Sequence, residues 1–211
     1  DRNILDELED RADRRAEFIH QSLWHLQAQL LKIGATLDTR YGFPDEIWEQ
    51  LIKEYTIANV YTNHDYEPYA RHRDTAIAKM LKANNISFHT YKDQVIFEKD
   101  EVIKDDGKPY TIFTPYSKKW KATLNEFYLS SYPVKKYLSN FFDQSPKEIP
   151  SLEEMDFKPT RQDFPNKGSN TDIIKHYSEQ RDYPAAEGTS RLGVHLRFGT
   201  VSIRELAKKA Q

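Results

Sequence analysis

The sequence predicts an α/β protein whose N-terminal part contains a parallel sheet. Segments with helical periodicity alternate three times with short β-like segments, at roughly 25–30-residue spacing. Of the 211 residues, 38% are hydrophobic and 30% are charged, a polar composition that still allows a buried core. A new helical pattern begins near residue 170, after a long stretch with little periodicity. The fold prediction is therefore an α/β layer followed by a separate helical region.

Three helices are predicted in the first part of the chain. Residues 13–33 carry apolar side chains at alternating steps of three and four, and Asp10 or Asp13 can cap the start. The second helix begins at Pro44, because the fixed φ of proline suits the first helical position. The third helix ends near Ala83.

Strands are predicted at residues 35–38, 57–61 and 86–90, each after one of these helices or before the next. Strands joined by helices run parallel, and their ligands bind beyond the carboxyl ends. The polar residues at those ends are Asp38, Thr39, Arg40, Asn63, His64, Asp65, Tyr91 and Asp93.

The remaining chain supports a division into three regions. A short strand is predicted at residues 95–97, and Asp-Gly and Pro predict a turn at residues 104–109. We predict an α/β domain over residues 1–129, an interdomain connector over 130–169 and the start of a helical domain over 170–211. Because residue 1 is not Met, we also expect an upstream segment.

A turn rich in small and hydroxyl residues, Glu-Gly-Thr-Ser-Arg-Leu-Gly at 187–193, leads into an amphipathic helix. Gly188 lets the backbone approach a ligand closely, and Thr189 or Ser190 can cap the helix. Free N–H groups at such a helix start can receive a phosphate. An ordinary capped helix is the favoured interpretation of the local pattern alone, because Gly-Thr-Ser turns are common, and the phosphate site is the alternative.

Several classes of site are disfavoured by the sequence. The chain lacks cysteine, which removes disulfides and thiolate ligands and is compatible with a cytoplasmic location. The seven histidines lack metal-site spacing, no P-loop or Gly-x-Gly-x-x-Gly occurs, and no nucleophile-base pair predicts a catalytic residue. No apolar run predicts a membrane span, and a net charge of −2 leaves only local basic patches.

Two polar segments each allow a functional and a structural interpretation. Lysines 118, 119 and 121 beside Trp120 can contact a nucleic-acid backbone, but a helix with Trp120 in the core is favoured. The segment 65–74 can bind a polar ligand, but a capped helix with exposed ion pairs is favoured when it is taken alone.

Four segments matter together: Arg-Ala-Glu-Phe-Ile at 15–19, the loop and helix start at 63–74, Tyr-Thr-Ile-Phe-Thr-Pro-Tyr at 110–116 with Trp120, and residues 177–199. They resemble segments of the photolyase/cryptochrome family, most closely its bacterial members that act on cyclobutane pyrimidine dimers, and the third segment matches a strand of that family. This resemblance implies a Rossmann-like antenna domain, a long connector and an all-α FAD-binding domain. It also implies that a strand, a helix and a second strand precede Asp1, and that much of the flavin domain follows Gln211.

The resemblance assigns cofactor roles to two sets of residues. Gly193 departs from the more usual serine and loses a hydroxyl but keeps its backbone N–H. Tyr69-Ala70 replaces the Asn-Glu pair of folate-binding members, so a deazaflavin or flavin nucleotide is a better second antenna chromophore than folate. The implied FAD contacts are Tyr177, Thr189, Ser190, Arg191, Leu192 and Gly193, and the implied antenna contacts are Arg15, Asp65 and Glu67.

The function implied for the whole protein is that of a carbon–carbon lyase, a deoxyribodipyrimidine photo-lyase. Enzymes of this kind repair pyrimidine dimers in damaged DNA with light and reduced FAD. We expect the intact protein to be monomeric. Because the rest of the flavin pocket is implied to follow residue 211, we expect little or no catalysis from this chain alone. A cryptochrome-type photoreceptor without repair activity, and a nucleotide-binding α/β module, remain the alternatives.

Overall fold

The computed structural model describes residues 1–168 and 170–210, which form two compact units. Unit 1 comprises Asp1–Tyr91 and Pro133–Phe164, and unit 2 comprises Lys92–Tyr132 and the described residues from Pro165 onward. The units thus alternate along the chain, whereas the predicted domains are consecutive.

The predicted boundaries between domains stay a prediction. Ser169, at the end of the predicted connector, and Gln211, at the end of the predicted helical region, lie outside the described residues.

Helices dominate the part of the chain that the structure describes. Two 3₁₀ helices, Lys99–Val102 and Val134–Asn140, accompany the α-helices and a pair of β-strands. The α-helices are α1 (Arg2–Leu5), α2 (Arg14–Leu31), α3 (Pro44–Glu54), α4 (Pro68–Ala83), α5 (Phe113–Thr123), α6 (Glu126–Leu129), α7 (Thr171–Lys175), α8 (Tyr177–Gln180), α9 (Gly193–Arg197) and α10 (Ile203–Ala210), and the strands are β1 (Asn59–Asn63) and β2 (Ser87–Tyr91).

The three long helices predicted for the first part of the chain are confirmed. The carboxylate of Asp13 accepts a hydrogen bond from the N–H of Arg15 and caps α2. Pro44 is the first residue of α3, where its missing N–H costs no helical hydrogen bond. Helix α4 ends at Ala83, as the apolar pattern predicts.

The parallel pairing of β1 with β2 confirms the predicted α/β arrangement. Val60 pairs with Phe88, and Asn63 pairs with Tyr91 at the carboxyl end. The sheet packs against α3, which precedes β1 in the sequence, and α4, which connects β1 with β2. The buried core there is Val60, Ile77, Leu81 and Ile86, with Trp48, Ile52, Ile57 and Phe88 packed against it.

The prediction of a strand at residues 35–38 is wrong. The backbone N–H of Leu37 donates to the side-chain carbonyl of the buried Gln27, at 2.7 Å. The hydroxyl of Thr36 accepts from the Gln27 amide at 2.7 Å and from the backbone N–H of Lys147 at 3.1 Å. The polar groups of this segment therefore form hydrogen bonds with Gln27 and Lys147, and they do not pair with a neighbouring strand.

Two strand expectations in unit 2 are also wrong. The carbonyl oxygen of Ile96 accepts from the Lys92 ammonium at 3.1 Å, so residues 95–97 form a bend and no strand. In the segment 110–116, helix α5 begins at Phe113. Pro115 lies in the first turn of α5, where proline is tolerated, and Trp120 packs its edge against Phe97 with ring centroids 5.3 Å apart.

The segment 133–164, predicted to be a connector, packs closely against α2. Phe157 is 2% exposed and forms a buried cluster with Ala16 and Leu152. The buried carboxylate of Glu17 accepts hydrogen bonds from the N–H and the hydroxyl of Thr160. Apolar burial and a satisfied buried carboxylate therefore hold this non-periodic segment in unit 1.

A network of charges also holds this segment in place. Asp38 accepts from the Arg40 guanidinium at 2.8 and 2.9 Å, and from the Lys147 ammonium and the Tyr55 hydroxyl at 2.8 Å each. Lys147 also donates to Glu54 at 3.0 Å. The Arg40 guanidinium, helped by Lys147 and Tyr55, holds the pKa of the Asp38 carboxyl well below its usual range.

Changing Asp38 to asparagine (Asp38→Asn) is expected to lower the free energy of unfolding by about 1 kcal/mol at neutral pH, a figure reduced for solvent screening. The pKa of Asp38 is lower in the folded state than in the unfolded state. Its stabilisation is therefore complete above about pH 4, the ordinary pKa of aspartate, and is lost as the pH falls further. Urea unfolding of both proteins at neutral pH and near pH 3 measures this loss.

The exposed Asp143 provides the control, because it forms no ion pair within the described residues. Asp143→Asn is expected to leave the unfolding free energy almost unchanged at both pH values. If the difference in unfolding free energy between wild type and Asp38→Asn grows as the pH falls, the stabilising role of the Asp38 carboxylate is contradicted.

Candidate functional site

A cleft of about 440 Å³ in unit 2 contains the centre of the Gly-Thr-Ser-Arg motif. One wall is formed by Glu187 and residues 189–191, and a second wall is formed by residues of the segment 165–173, which leads into α7. Its volume lies in the range of sites that bind small molecules. The lining residues are Pro165, Asn166, Gly168, Asn170, Ile173, Glu187, Thr189, Ser190 and Arg191.

The predicted capping roles of Thr189 and Ser190 are wrong. Helix α9 has Leu192 at its N-cap position, without a side-chain capping bond, and contains only five residues. The two hydroxyl residues lie instead in the irregular segment before α9, where both line the cleft. A phosphate in this cleft would therefore contact hydroxyl groups and not the N-terminus of a helix.

Gly188 has a different role from the predicted close approach to a ligand. A Cβ atom at this position would lie 2.5 Å from Cβ of Gln180 and 3.0 Å from its backbone carbonyl. Only glycine therefore lets the cleft wall pass against the end of α8 without displacement. The glycine shapes the cleft through packing inside unit 2.

Arg191 supplies a positive charge to the cleft. Its φ of +52° lies in the left-handed region, which non-glycine residues adopt infrequently and which turns the chain ahead of α9. Its guanidinium lies 3.5 Å from the Glu187 carboxylate, with side chains 65% and 87% exposed. Such an exposed pair contributes little stability, so an arriving anion can replace the carboxylate at small cost.

The other three residues of the implied FAD set lie outside the cleft lining. Leu192 is buried and therefore contributes to packing. Gly193 is the first residue of α9, and no atom lies within 4 Å of the position of an added Cβ. Tyr177 begins α8, is 46% exposed and has the Arg181 guanidinium over its ring at 5.7 Å. The structure thus brings together Thr189, Ser190 and Arg191.

The implied antenna residues are all in unit 1. Arg15 lies in the first turn of α2, and its exposed guanidinium pairs with Asp13. Asp65 accepts a hydrogen bond from the N–H of Glu67, which is the N-cap residue of α4. Their assignment to a chromophore stays a prediction.

A mostly apolar cavity of about 250 Å³ also occurs in unit 1. It includes Thr39 and Arg40, two of the polar residues predicted at a ligand-binding edge, and Ala16, the neighbour of Arg15 in the chain. Its apolar lining comprises Ile4, Leu5, Ala16, Ile19, Leu23, Ile149, Pro150 and Met155.

The basic segment in α5 favours the structural interpretation. Trp120 is half-buried against Phe97, and Lys119 lies 3.6 Å from the exposed Asp105 carboxylate.

Within residues 1–168 and 170–210, no group of three or more metal-binding side chains is placed to hold an ion. Over the same described ranges, no helix is both long and apolar enough to cross a bilayer.

Sequence reasoning missed the wall of the cleft opposite the motif. Asn166, Gly168 and Asn170 lie in or beside the predicted connector, where only turn-forming residues mark the chain. Asn170 caps α7 by accepting from the N–H of Asp172 at 2.9 Å. Asn-rich turns are common, so this signal predicts a turn and gives no indication of a cleft.

The fold is that of an α/β protein with a second, mainly helical unit, and that unit carries a cleft lined by Thr189, Ser190 and Arg191. The chain belongs to the DNA photolyase family, because the family model described as DNA photolyase matches residues 3–136, more than half of the chain. The predicted family resemblance is therefore confirmed.

Curated relatives and solved structures are consistent with this membership. A deoxyribodipyrimidine photo-lyase of Synechococcus sp. is 28% identical over 223 residues, covering 95% of this chain and 45% of that protein. The Escherichia coli photo-lyase is also 28% identical, with 91% and 43% coverage. The chain thus spans under half the length of these relatives.

The likeness to solved structures confirms the predicted photolyase-type α/β fold. A class III photolyase from Agrobacterium tumefaciens superimposes with a TM-score of 0.72 at 24% identity, covering 95% of this chain and 44% of that structure. An archaeal photolyase from Sulfolobus tokodaii, solved with two FAD molecules, gives a TM-score of 0.61 at 20% identity, with 96% and 45% coverage.

Proposed function

We propose that this chain is part of a deoxyribodipyrimidine photo-lyase that repairs pyrimidine dimers in DNA with light. The observation that carries the proposal is the cleft in unit 2, which combines the hydroxyls of Thr189 and Ser190 with the Arg191 guanidinium. Membership of the DNA photolyase family supports a flavin dinucleotide as the ligand that we propose for this cleft. When bound, reduced and photoexcited FAD supplies the electron that opens the dimer ring.

The chain's own contribution is binding and orientation. Hydroxyl donors and a guanidinium are groups that bind phosphate oxygens, and charge-assisted hydrogen bonds are stronger than neutral ones. We assign Thr189, Ser190 and Arg191 to the diphosphate of FAD. Arg191 exchanges its exposed contact with Glu187 for the phosphate. Tyr177, Leu192 and Gly193 lie outside the cleft lining, and we assign them to the surroundings of the bound diphosphate.

We also propose that unit 1 holds a second, light-harvesting chromophore, a deazaflavin or flavin nucleotide. Arg15, Asp65 and Glu67 are the proposed contacts, and the apolar cavity near Thr39 and Arg40 is a second place in that unit where an aromatic ring fits chemically. Extraction of pigments from the full-length protein, followed by mass spectrometry, identifies the chromophore. Recovery of a folate contradicts this part of the proposal.

Repair activity is tested with the full-length protein, FAD and an oligonucleotide that contains one cyclobutane dimer. Blue light should convert the dimer to two pyrimidines, and the dark reaction should leave it intact. Because a damaged base pair is already poorly stacked, lesion DNA should bind more tightly than intact DNA. Absence of light-dependent repair overturns the proposed function.

Changing Gly193 to serine is expected to raise the affinity for FAD about two- to fivefold, the value of one additional hydrogen bond. No atom lies within 4 Å of an added Cβ, so the side chain fits without displacing a neighbour. Fluorescence titration with FAD measures the affinity.

Gly193→Ala is the matched control, because it adds the Cβ without the hydroxyl and should bind FAD as the wild type does. An equal gain for both variants shows that the hydroxyl is not responsible.

A further inference from the structure

His195 is a buried histidine that the proposed function does not use. It lies in α9, is 2% exposed, and its ring contacts Pro165, which lines the cleft, and Thr200, which follows α9. Its Nε2 lies 2.7 Å from the carbonyl oxygen of Pro165, and its Nδ1 lies 2.7 Å from the hydroxyl of Thr200.

The chemistry of these partners fixes the role of one ring nitrogen. A carbonyl oxygen only accepts hydrogen bonds, so Nε2 must carry the proton that it donates to Pro165. The Thr200 hydroxyl can donate to Nδ1, and the N–H of Thr200 donates to the His195 carbonyl at 3.0 Å. Thr200, which follows α9, therefore holds the Nδ1 side of the imidazole, and Nε2 bonds to Pro165.

Pro165 is part of the cleft lining, and the opposite wall is joined to His195 through the start of α9. Arg191 precedes His195 by four residues in the chain. One buried side chain thus connects the Pro165 wall with the element that follows the Arg191 wall. Loss of the His195 side chain would release the wall that contains Pro165, while the residues that line the cleft would stay the same.

We propose that His195 is a positioning residue, which sets the separation of the two cleft walls and thereby the affinity for the flavin diphosphate. This inference rests on the proposed function for its ligand, but the tie between His195 and Pro165 is a property of this chain alone. A histidine that only filled the core would support the cleft no more than any other buried residue does.

Two substitutions separate positioning from packing. His195→Gln places an amide donor about as far along the side chain as Nε2, so it can still bond to Pro165. His195→Asn places its amide at about the position of Nδ1, too short to reach Pro165. Both variants lose the ring, so a similar fall in melting temperature is expected for the two.

The first readout is FAD affinity, measured by calorimetry on the full chain. His195→Asn is expected to bind FAD about tenfold more weakly than wild type, and His195→Gln within about threefold of wild type. Equal affinities for the two variants, or losses that simply follow the melting temperatures, overturn the proposal.

The second readout is amide hydrogen exchange at residues 166–168, measured without ligand. Exchange there should be faster in His195→Asn than in His195→Gln, with little difference in unit 1. If wild-type protein binds no FAD, the proposed function fails, while this exchange difference still tests the tie. Equal exchange at 166–168 in the two variants overturns the positioning role regardless of flavin binding.

Discussion

Replacing Phe157 with alanine is expected to lower the free energy of unfolding of unit 1 by about 3–5 kcal/mol, the usual cost of removing a buried phenylalanine. Phe157 is 2% exposed and packs with Ala16 and Leu152. The Arg11 guanidinium lies over its ring, 5.3 Å from the centroid. Truncation removes all of these contacts and leaves a cavity between α2 and the segment that returns to it.

Tyr137→Ala is the matched control, because Tyr137 lies in the same returning segment and is 59% exposed. It should change the unfolding free energy by less than about 0.5 kcal/mol. Urea unfolding monitored by circular dichroism measures both variants. Similar small losses for the two would show that residues 133–164 are only loosely attached to unit 1.

Replacing Gly188 with alanine is expected to have the largest effect on the cleft. The added Cβ would overlap Cβ of Gln180 at 2.5 Å and press on its backbone at 3.0 Å. Backbone cannot rotate away as a flexible side chain can, so the wall at 187–191 must shift. Overpacking of this kind costs about 1–3 kcal/mol, and displacement of the wall should weaken FAD binding by about tenfold or more.

Gly193→Ala is the control for this change, since an added Cβ at Gly193 has no atom within 4 Å. It should leave both the melting temperature and FAD affinity close to those of wild type. Thermal unfolding and FAD titration of the two variants provide the comparison. Unchanged affinity in Gly188→Ala contradicts the role of this glycine in shaping the cleft.

The helices of unit 1 were predictable because their signals are local. The apolar repeat of α2, the Asp13 cap and the proline at the start of α3 each act within a few residues. The parallel pairing of β1 and β2 followed from the helix between them, although the strands begin one or two residues later than predicted.

The failures came from partners that are distant in sequence. Gln27 and Lys147 take up the polar groups of residues 35–38, and Lys92 binds the Ile96 carbonyl. The apolar side chains that bury residues 149–157 against α2 are too irregularly spaced to show a period. Periodicity therefore described this segment as a connector, although tertiary contacts order it.

The candidate site was predicted only in part, because a local sequence signal marks just one of its walls. The Gly-Thr-Ser-Arg sequence predicted a phosphate-compatible turn, and Thr189, Ser190 and Arg191 do line one cleft. The predicted helix cap was wrong because α9 starts later, after the left-handed turn at Arg191. The contact between His195 and Pro165 was missed because it joins segments 30 residues apart in sequence, which no local pattern encodes.

The most direct test of the central claim is a calorimetric comparison of FAD with riboflavin, which has the same ring system but no phosphate. The cleft is assigned to the diphosphate, so wild-type protein should bind FAD at least about tenfold more tightly than riboflavin. Arg191→Ala should remove most of that preference while leaving riboflavin binding unchanged. Equal binding of FAD and riboflavin by wild type, or full retention of the preference in Arg191→Ala, would contradict a phosphate role for this cleft.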